Sequence, residues 1–241
     1  MKVSVCIPMY NESAVIEKNA KALYSYMSSA FDSWEVVCTD DGSTDGCAQK
    51  LESLALPNFR VISYRPNQGK GYAVKTAMLE ATGEVRIFTD TDLAYGTDII
   101  GRIAKMFCEN PDCDIIIGSR NLNKSGYEGY TFLRRIVSKT YIKLLQLIGG
   151  FGYTDSQCGI KGFRDSAAKK IFPLMETRRW AFDFEALLIA GRFKMKIKEI
   201  PVVILNQGES KMNILSDSVK MFRDLLKIRR RVKGLDAREF I

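Results

Sequence analysis

The chain has 241 residues, 46% of them apolar and 10% aromatic, enough to bury a full core in one large domain or two small ones. Its 36 basic and 28 acidic residues leave a formal charge of +8, which argues for an anionic partner without choosing among nucleic acid, a nucleoside diphosphate and an anionic membrane surface. Histidine is absent, which excludes Ser-His-Asp and Cys-His catalysis, H-E-x-x-H zinc chemistry and any imidazole base; acid–base work falls to carboxylates, Lys, Tyr or Cys.

Val3 to Ile7 is a nearly unbroken apolar run ending at Pro8, the pattern of a central parallel strand buried on both faces. The loop Pro8-Met9-Tyr10-Asn11-Glu12 follows, and from Ser13 apolar residues recur at helical spacing (Val15, Ile16, Ala20, Leu23, Met27). The order repeats with strand Trp34 to Cys38, loop Asp40-Asp41-Gly42-Ser43-Thr44-Asp45-Gly46 and a helix to about Leu54. It repeats again with strand Arg60 to Tyr64, loop Asn67-Gln68-Gly69-Lys70-Gly71 and a helix through Ala81. Thr82-Gly83-Glu84 then turns into a fourth strand, Val85 to Phe88, which runs into Asp90-Thr91-Asp92. Strands alternating with helices predict right-handed crossovers and a mostly parallel α/β sheet, with each chemistry-bearing loop at a strand's carboxyl end.

Beyond it, a helix from Asp98 to Cys108 leads to strand Asp114 to Gly118 and the turn Ser119-Arg120. Phe132 to Ile148 then carries a broad apolar face (Phe132, Leu133, Ile136, Val137, Tyr141, Leu144, Leu145, Ile148) interleaved with Arg134, Arg135, Lys139 and Lys143. It fits a core-packing helix with a solvated basic face or a helix lying at a membrane surface. The segment Asp155 to Phe163, a helix from Asp165 to Phe172, an apolar helix from Trp180 to Ala190 and a strand from Lys196 to Leu205 follow. A loop from Asn206 to Asn213 and a basic amphipathic helix from Leu215 to Val232 close the chain. No linker divides it. The expectation is one domain over 1–241, with a nucleotide-binding half at 1–120, an acceptor half at 121–213 and the basic helix at 214–241.

Six scattered cysteines without a C-x-x-C pair predict free, mostly buried thiols in a reducing compartment. No signal-peptide pattern opens the chain and no apolar run approaches the roughly 18 residues that span a bilayer, so the expectation is a cytoplasmic or peripheral protein.

Three loops with carboxylates face one crevice: Pro8 to Glu12, Asp40 to Asp45, and Asp90 to Asp92. Asp90 and Asp92, two apart on extended backbone, point the same way and suit a Mg²⁺ or Mn²⁺ that also takes phosphate oxygens; the alternative is an acidic turn in which Asp92 or Thr91 caps the next helix. Carboxylates hold a diphosphate only through a cation, so a nucleotide would lie with its base near Asp40 or Asp41 and its diphosphate near Asp92. At least one aspartate of Asp40-Asp41-Gly-Ser-Thr-Asp is expected to serve the turn or cap the helix instead. Gln68-Gly69-Lys70-Gly71 lacks the Walker pattern, and without basic–aromatic repeats or zinc spacing nucleic acid is not the expected partner.

These motifs, in this order, are similar to those of family 2 inverting glycosyltransferases, which have the glycosyltransferase A fold. The carrying residues are Pro8 to Glu12, Asp40 to Gly46, Asn67 to Gly71 and Asp90-Thr91-Asp92. Gly118-Ser119-Arg120, Asp155 to Phe163, Arg179 to Glu185 and Gly208-Glu209-Ser210-Lys211 further resemble the subgroup that transfers sugars to polyprenyl phosphates. Gln157-Cys158-Gly159 and Trp180-Ala181-Phe182-Asp183 are most similar to its dolichyl-phosphate β-glucosyltransferases.

The resemblance implies a Rossmann-like nucleotide-sugar-binding sheet, a divalent metal, and transfer of a hexose, foremost glucose from UDP-glucose, to a polyprenyl or dolichyl phosphate. The work would take place at the cytoplasmic face of a membrane, with peripheral contact or a membrane partner. It implies that Pro8, Tyr10 and Glu12 line the nucleoside pocket with Asp41 against the base and Lys70 in the same donor site. Asp90 would position the sugar, Asp92 the metal, and Lys211 the diphosphate. Arg120, Arg134 and Ser138 would hold the acceptor phosphate, and Asp155 is the candidate catalytic carboxylate. Arg134 and Ser138 share a helix face, as do Arg135 and Lys139, and spacing leaves both pairs open. Arg120 and Lys211 also fit plain loop cations, Asp155 a turn acid, and Trp180 with Phe182 a place in the core. Ala94, where the mannosyl branch has Gln, speaks against GDP-mannose as donor. A soluble glycan or protein acceptor, or a module that binds nucleotide sugars without catalysis, are the alternatives.

Overall fold

The apolar run at the start of the chain becomes β1 (Val3–Met9), in which every residue but Pro8 is buried. A computed structural model describes residues 1–126, 132–205 and 218–235. After β1 come α1 (Ile16–Ala30), β2 (Trp34–Asp40), α2 (Cys47–Ser53), β3 (Phe59–Ser63), α3 (Lys70–Glu80), β4 (Val85–Thr89), α4 (Asp98–Glu109) and β5 (Ile115–Ser119). The second half adds α5 (Phe132–Gly149), β6 (Ile160–Arg164), α6 (Asp165–Ile171), α7 (Phe182–Arg192), β7 (Ile197–Pro201) and α8 (Ser218–Lys233).

The strands form one sheet in the order β3-β2-β1-β4-β6-β5-β7. β1 pairs parallel with β2 and β4, β2 with β3, and β5 with β7, whereas β6 runs antiparallel to both β4 and β5. The expectation of a mostly parallel sheet holds, and β6 is the exception that lets the chain return between β4 and β5.

Side chains alternate between two cores, as the two-residue period of a strand requires. Val3, Val5, Ile7, Val36, Cys38, Ile87 and Ile116 pack under α1, α2 and α4, while Cys6, Val37, Phe88, Ile115 and Ile117 pack under α3 and α5 to α8. In α1 the residues Ile16, Ala20, Leu23 and Met27 are the buried ones, a stripe at helical spacing. The same logic separates two aromatic neighbours: Phe182 is buried on the Phe88 ring, with centroids 5.6 Å apart, but Trp180 is 49% exposed because α7 begins only after it. Trp180 therefore does not share the core with Phe182. Among the described side chains of α5, Ile142, Leu145 and Ile148 face inward and Ile136 and Leu147 face out, so the helix packs one side on the core and leaves apolar residues exposed on the other. Five cysteines are buried and Cys108 is exposed; none is in a disulfide.

Candidate active site

The sheet grows from β1 through β2 to β3 on one side and then resumes with β4 on the other. The crevice of an open α/β sheet lies outside the carboxyl ends of the strands at such a switch point. Here the β1–β4 ladder stops at Cys6 and Phe88 while the β1–β2 ladder continues to Met9 and Asp40. Pro8, which has no N–H to give, sits where pairing with β4 has ended. Thr91 Oγ1 donates to the Pro8 carbonyl at 2.8 Å, and Asn19 Nδ2 donates to the Thr91 carbonyl at 2.8 Å. Thr91 is thereby turned inward, and its neighbours Asp90 and Asp92 are left half-buried at the crevice.

The charges there are closely coupled. Lys70, the first residue of α3, places Nζ 2.6 Å from Asp90 Oδ1, and its ammonium lies 5.5 Å from the Phe88 ring and 5.3 Å from the Trp180 ring. Burial works against that charge, but Asp90, with Asp183 and Asp92 behind it, holds the Lys70 amine above the ordinary lysine range. Among the described residues, Asp92 receives a hydrogen bond from the Ala94 amide, 3.0 Å from Oδ1. Burial, then the neighbouring Asp90 and Glu12 charges, push its carboxyl above the usual carboxylate range, against the pull of Ala94 and Lys70.

The Asp40 loop divides its labour. Asp40 Oδ1 accepts the Ser43 amide at 3.1 Å and holds the turn; Asp45 accepts the Cys47 amide at 3.1 Å and the Ser13 amide at 2.8 Å, which ties the loop before α2 to the first loop, while the N-cap of α2 is Gly46 in the left-handed region. Asp41 is almost fully buried and receives the amides of Gln68 at 2.7 Å and Gly69 at 2.8 Å, so it ties the second loop to the third. Each of its oxygens keeps a lone pair for a further donor. The glycines of Asn-Gln-Gly-Lys-Gly answer to close packing. A Cβ on Gly71 would stand 2.5 Å from the Thr177 carbonyl, and one on Gly69, whose φ is +100°, 2.5 Å from that of Arg178. Tyr10 is 44% exposed at the mouth and Glu12 is half-buried beside it.

On the other side of the crevice Arg120, at the end of β5, meets the fully buried Asp155. Nε donates to Oδ2 at 2.6 Å and a terminal nitrogen to Oδ1 at 2.8 Å, while the Arg120 amide donates to Oδ2 at 3.0 Å. Burial alone would weaken the guanidinium's hold on its proton; the two-pronged bond to Asp155 overrides that and keeps Arg120 charged. The segment behind Asp155 returns to the Asp-x-Asp loop: a Cβ on Gly159 would lie 2.3 Å from Asp90 Oδ2, and the Gly159 amide donates to the Tyr95 hydroxyl at 3.3 Å. Gly159 thus connects the segment of the Arg120–Asp155 pair to the loop of the Asp90–Lys70 pair.

Lys161 and Asp183 form a third pair that the sequence does not reveal. Nζ is 2.5 Å from Asp183 Oδ1 and 2.6 Å from the Cys158 carbonyl, and the lysine is 1% exposed. A lysine inside the strand Ile160-Lys161-Gly162-Phe163 was the available signal, because a charge buried on both faces requires a partner. Of the remaining expected residues, Ser138 is half-buried on α5; Arg134 is on the same helix, but its side chain lies outside the described residues, as does all of Lys211.

Among the described residues no three His, Cys, Asp or Glu side chains gather to enclose a metal ion. Asp90 and Asp92 fit a Mg²⁺ or Mn²⁺ that keeps water and phosphate oxygens as its other ligands, and the raised Asp92 carboxyl is one short of positive charge.

Comparison with known proteins places the chain in a family. The model of glycosyl transferase family 2 matches residues 4–172. A dolichyl-phosphate beta-glucosyltransferase of Saccharomyces cerevisiae is 33% identical over 94% of this chain and 74% of its own, and one of Trichomonas vaginalis is 34% identical over 94% and 72%. Glucosyl-3-phosphoglycerate synthase of Mycobacterium tuberculosis, solved with Mn²⁺, UDP-glucose and glycerol 3-phosphate, superposes with a TM-score of 0.67 at 18% identity over 98% of this chain and 82% of that one. The fold is the glycosyltransferase A fold.

Proposed function

The chain belongs to glycosyl transferase family 2, and from that premise we propose that it moves glucose from UDP-glucose, with a divalent metal, to the phosphate of a polyprenyl or dolichyl lipid. The observation that supports the proposal is the close packing of Gly159, in the segment that follows Asp155, against Asp90, which brings the chain carrying the Arg120–Asp155 pair up to the Asp-x-Asp loop. The names of the relatives support the lipid phosphate and the donor of the structural neighbour supports UDP-glucose.

In this mechanism Pro8, Tyr10, Glu12 and Asp41 border the nucleoside. Asp92, with Asp90, would hold Mg²⁺ or Mn²⁺, whose charge stabilises the departing diphosphate. Lys70 keeps Asp90 aimed at the sugar and adds a positive charge next to it, and Lys211 is the further cation assigned to the diphosphate. Arg120, held by Asp155, orients the acceptor phosphate together with Arg134 and Ser138. One phosphate oxygen attacks the anomeric carbon from the side opposite UDP; the new C–O bond forms as the bond to the diphosphate breaks, and the configuration inverts. The attacking oxygen is already ionised near neutral pH, so no proton has to be removed. A chain without histidine is adequate to that task. Position and electrostatics supply the rate.

Transfer of labelled sugar from UDP-glucose, GDP-mannose and UDP-N-acetylglucosamine to a short polyprenyl phosphate, with and without Mn²⁺ or Mg²⁺, tests the proposal. Lipid-extractable, metal-dependent product from UDP-glucose alone is the expected result; metal-dependent binding of nucleotide sugar without lipid product would redirect the acceptor to a soluble glycan.

Among the described residues no helix is long and apolar enough to cross a membrane. Access to the lipid would come from α5, which exposes Ile136, Leu147 and basic side chains, and from α8, which exposes Phe222, Arg223, Lys227 and Arg230. Each cation near an anionic surface adds about 1 kcal/mol. The protein is expected to float with vesicles containing anionic lipid and to remain in solution with neutral ones; equal behaviour with both would remove this surface from the proposal.

A further inference from the structure

Glu185 lies one turn into α7, is 0% exposed, and is surrounded by donors. Its oxygens accept the amides of Glu176 at 3.1 and 3.2 Å and of Thr177 at 2.8 Å, and its remaining partner is the guanidinium of Arg231, 46 residues further on in α8. Arg231 also donates to the Leu174 carbonyl at 3.1 Å and to Glu176 at 3.2 Å. α8 already buries Leu225, Ile228 and Val232. Packing alone would dock it; the guanidinium adds a directional link to one particular stretch of backbone.

That stretch, residues 174–181, is the wall of the donor crevice. Lys75 of α3 fastens its near end through the carbonyls of Pro173 at 3.1 Å and Met175 at 2.7 Å, and the Arg178 carbonyl accepts the Tyr72 amide at 3.2 Å. Thr177 and Arg178 press on Gly71 and Gly69, Arg178 bonds the Gln68 amide group, and Trp180 stands over Lys70. The wall is held by α3 on one side and by Glu185 and Arg231 on the other. We propose that Arg231 is a positioning residue for nucleotide-sugar binding: through Glu185 and the Leu174 carbonyl, α8 keeps residues 174–181 closed against Lys70. This rests on the assignment of the crevice to a nucleotide sugar.

Amide exchange followed by mass spectrometry, alongside calorimetric titration with UDP and Mn²⁺, tests it. Arg231→Met keeps the packing stem and removes the link. Expected are an exchange rate in peptides covering 174–181 faster by about tenfold, unchanged exchange in β1 and β4, and a Kd for UDP raised about tenfold. Arg231→Lys falls between, and Lys233→Met, which removes a positive charge from the exposed face of the same helix, matches the wild-type protein in both readouts. Wild-type exchange at 174–181 in Arg231→Met, or faster exchange with unchanged UDP affinity, overturns the proposal. If Arg231→Met does not fold, Glu185→Gln is scored by the same two readouts. If the wild-type chain binds no nucleotide at all, the assignment of the crevice falls separately, and exchange at 174–181 still decides whether Arg231 holds the wall.

Discussion

Asp92→Asn is expected to lower sugar transfer about a thousandfold, the loss that follows when a leaving group forfeits its Lewis-acid charge, and yet to leave the protein as stable as before or more so. Asparagine keeps the oxygen that accepts the Ala94 amide, so the turn survives. What it removes is a carboxylate pressed by burial and by Asp90. The folded-state pKa of Asp92 lies above its ordinary value of 3.8, so between the two values the folded state binds more protons than the unfolded one. Stability from this group is therefore lost as pH rises through that window, and at neutral pH its ionised form is a cost. Thermal melts should show Asp92→Asn a few degrees above the wild type at neutral pH and level with it in acid. Adding Mn²⁺ and UDP should reverse the order, because only the wild-type chain has the carboxylate that the cation stabilises. A variant that transfers sugar at the wild-type rate would remove Asp92 from the metal site.

Much of the first half of the chain was legible in the sequence. β1 to β4 alternate with helices, and each loop between them carries Pro, Gly or Asp at the strand end, so the crevice could be placed from pattern alone. The spacing of two reads as a strand period, but β4 ends at Thr89 and the Leu93 amide closes a turn on the Asp90 carbonyl at 3.1 Å, so Asp90 and Asp92 flank the inward Thr91 on a turn and not on extended backbone. The second half is less transparent for a physical reason. Ile160-Lys161-Gly162-Phe163 is buried on both faces, and a strand of that kind has the same local pattern whether it runs parallel or antiparallel to its neighbours. The return of β6 between β4 and β5 is decided by contacts such as Gly162 under Ile103 and Phe107, where a Cβ would approach to 2.6 Å. The missing Walker pattern set Gln68-Gly69-Lys70-Gly71 apart from a phosphate loop, but what its glycines do was not legible, because the backbone that crowds them belongs to residues 177 and 178, about a hundred positions away. The partners Lys161 and Asp183 are 22 residues apart and Glu185 and Arg231 are 46 apart, and burial, not spacing, identifies them.

Asp155 and Arg120 were each visible as candidates, one for catalysis and one for the acceptor phosphate, and their pairing changes what the first is expected to do. Asp155 is 0% exposed, with both oxygens given to Arg120. Asp155→Asn turns an amide N–H₂ toward the guanidinium and takes away the buried carboxylate that pairs with it, which costs about 3–5 kcal/mol and lowers the melting temperature by roughly 10 °C in a chain of this size. Lipid-directed transfer should fall with it while UDP still binds, because the donor side is held by other groups. The double variant Arg120→Met, Asp155→Asn has no buried charge left at this position and should recover most of the stability. Transfer is where a positioning role and a chemical one separate. If Asp155 acts only by fixing Arg120, then once Arg120→Met is made the further change to Asn has nothing left to disturb, and the double variant transfers at the rate of Arg120→Met, measured where circular dichroism finds both folded. If Asp155 itself touches the reacting atoms, the double variant falls well below that rate, and the assignment of the carboxylate to Arg120 alone is wrong.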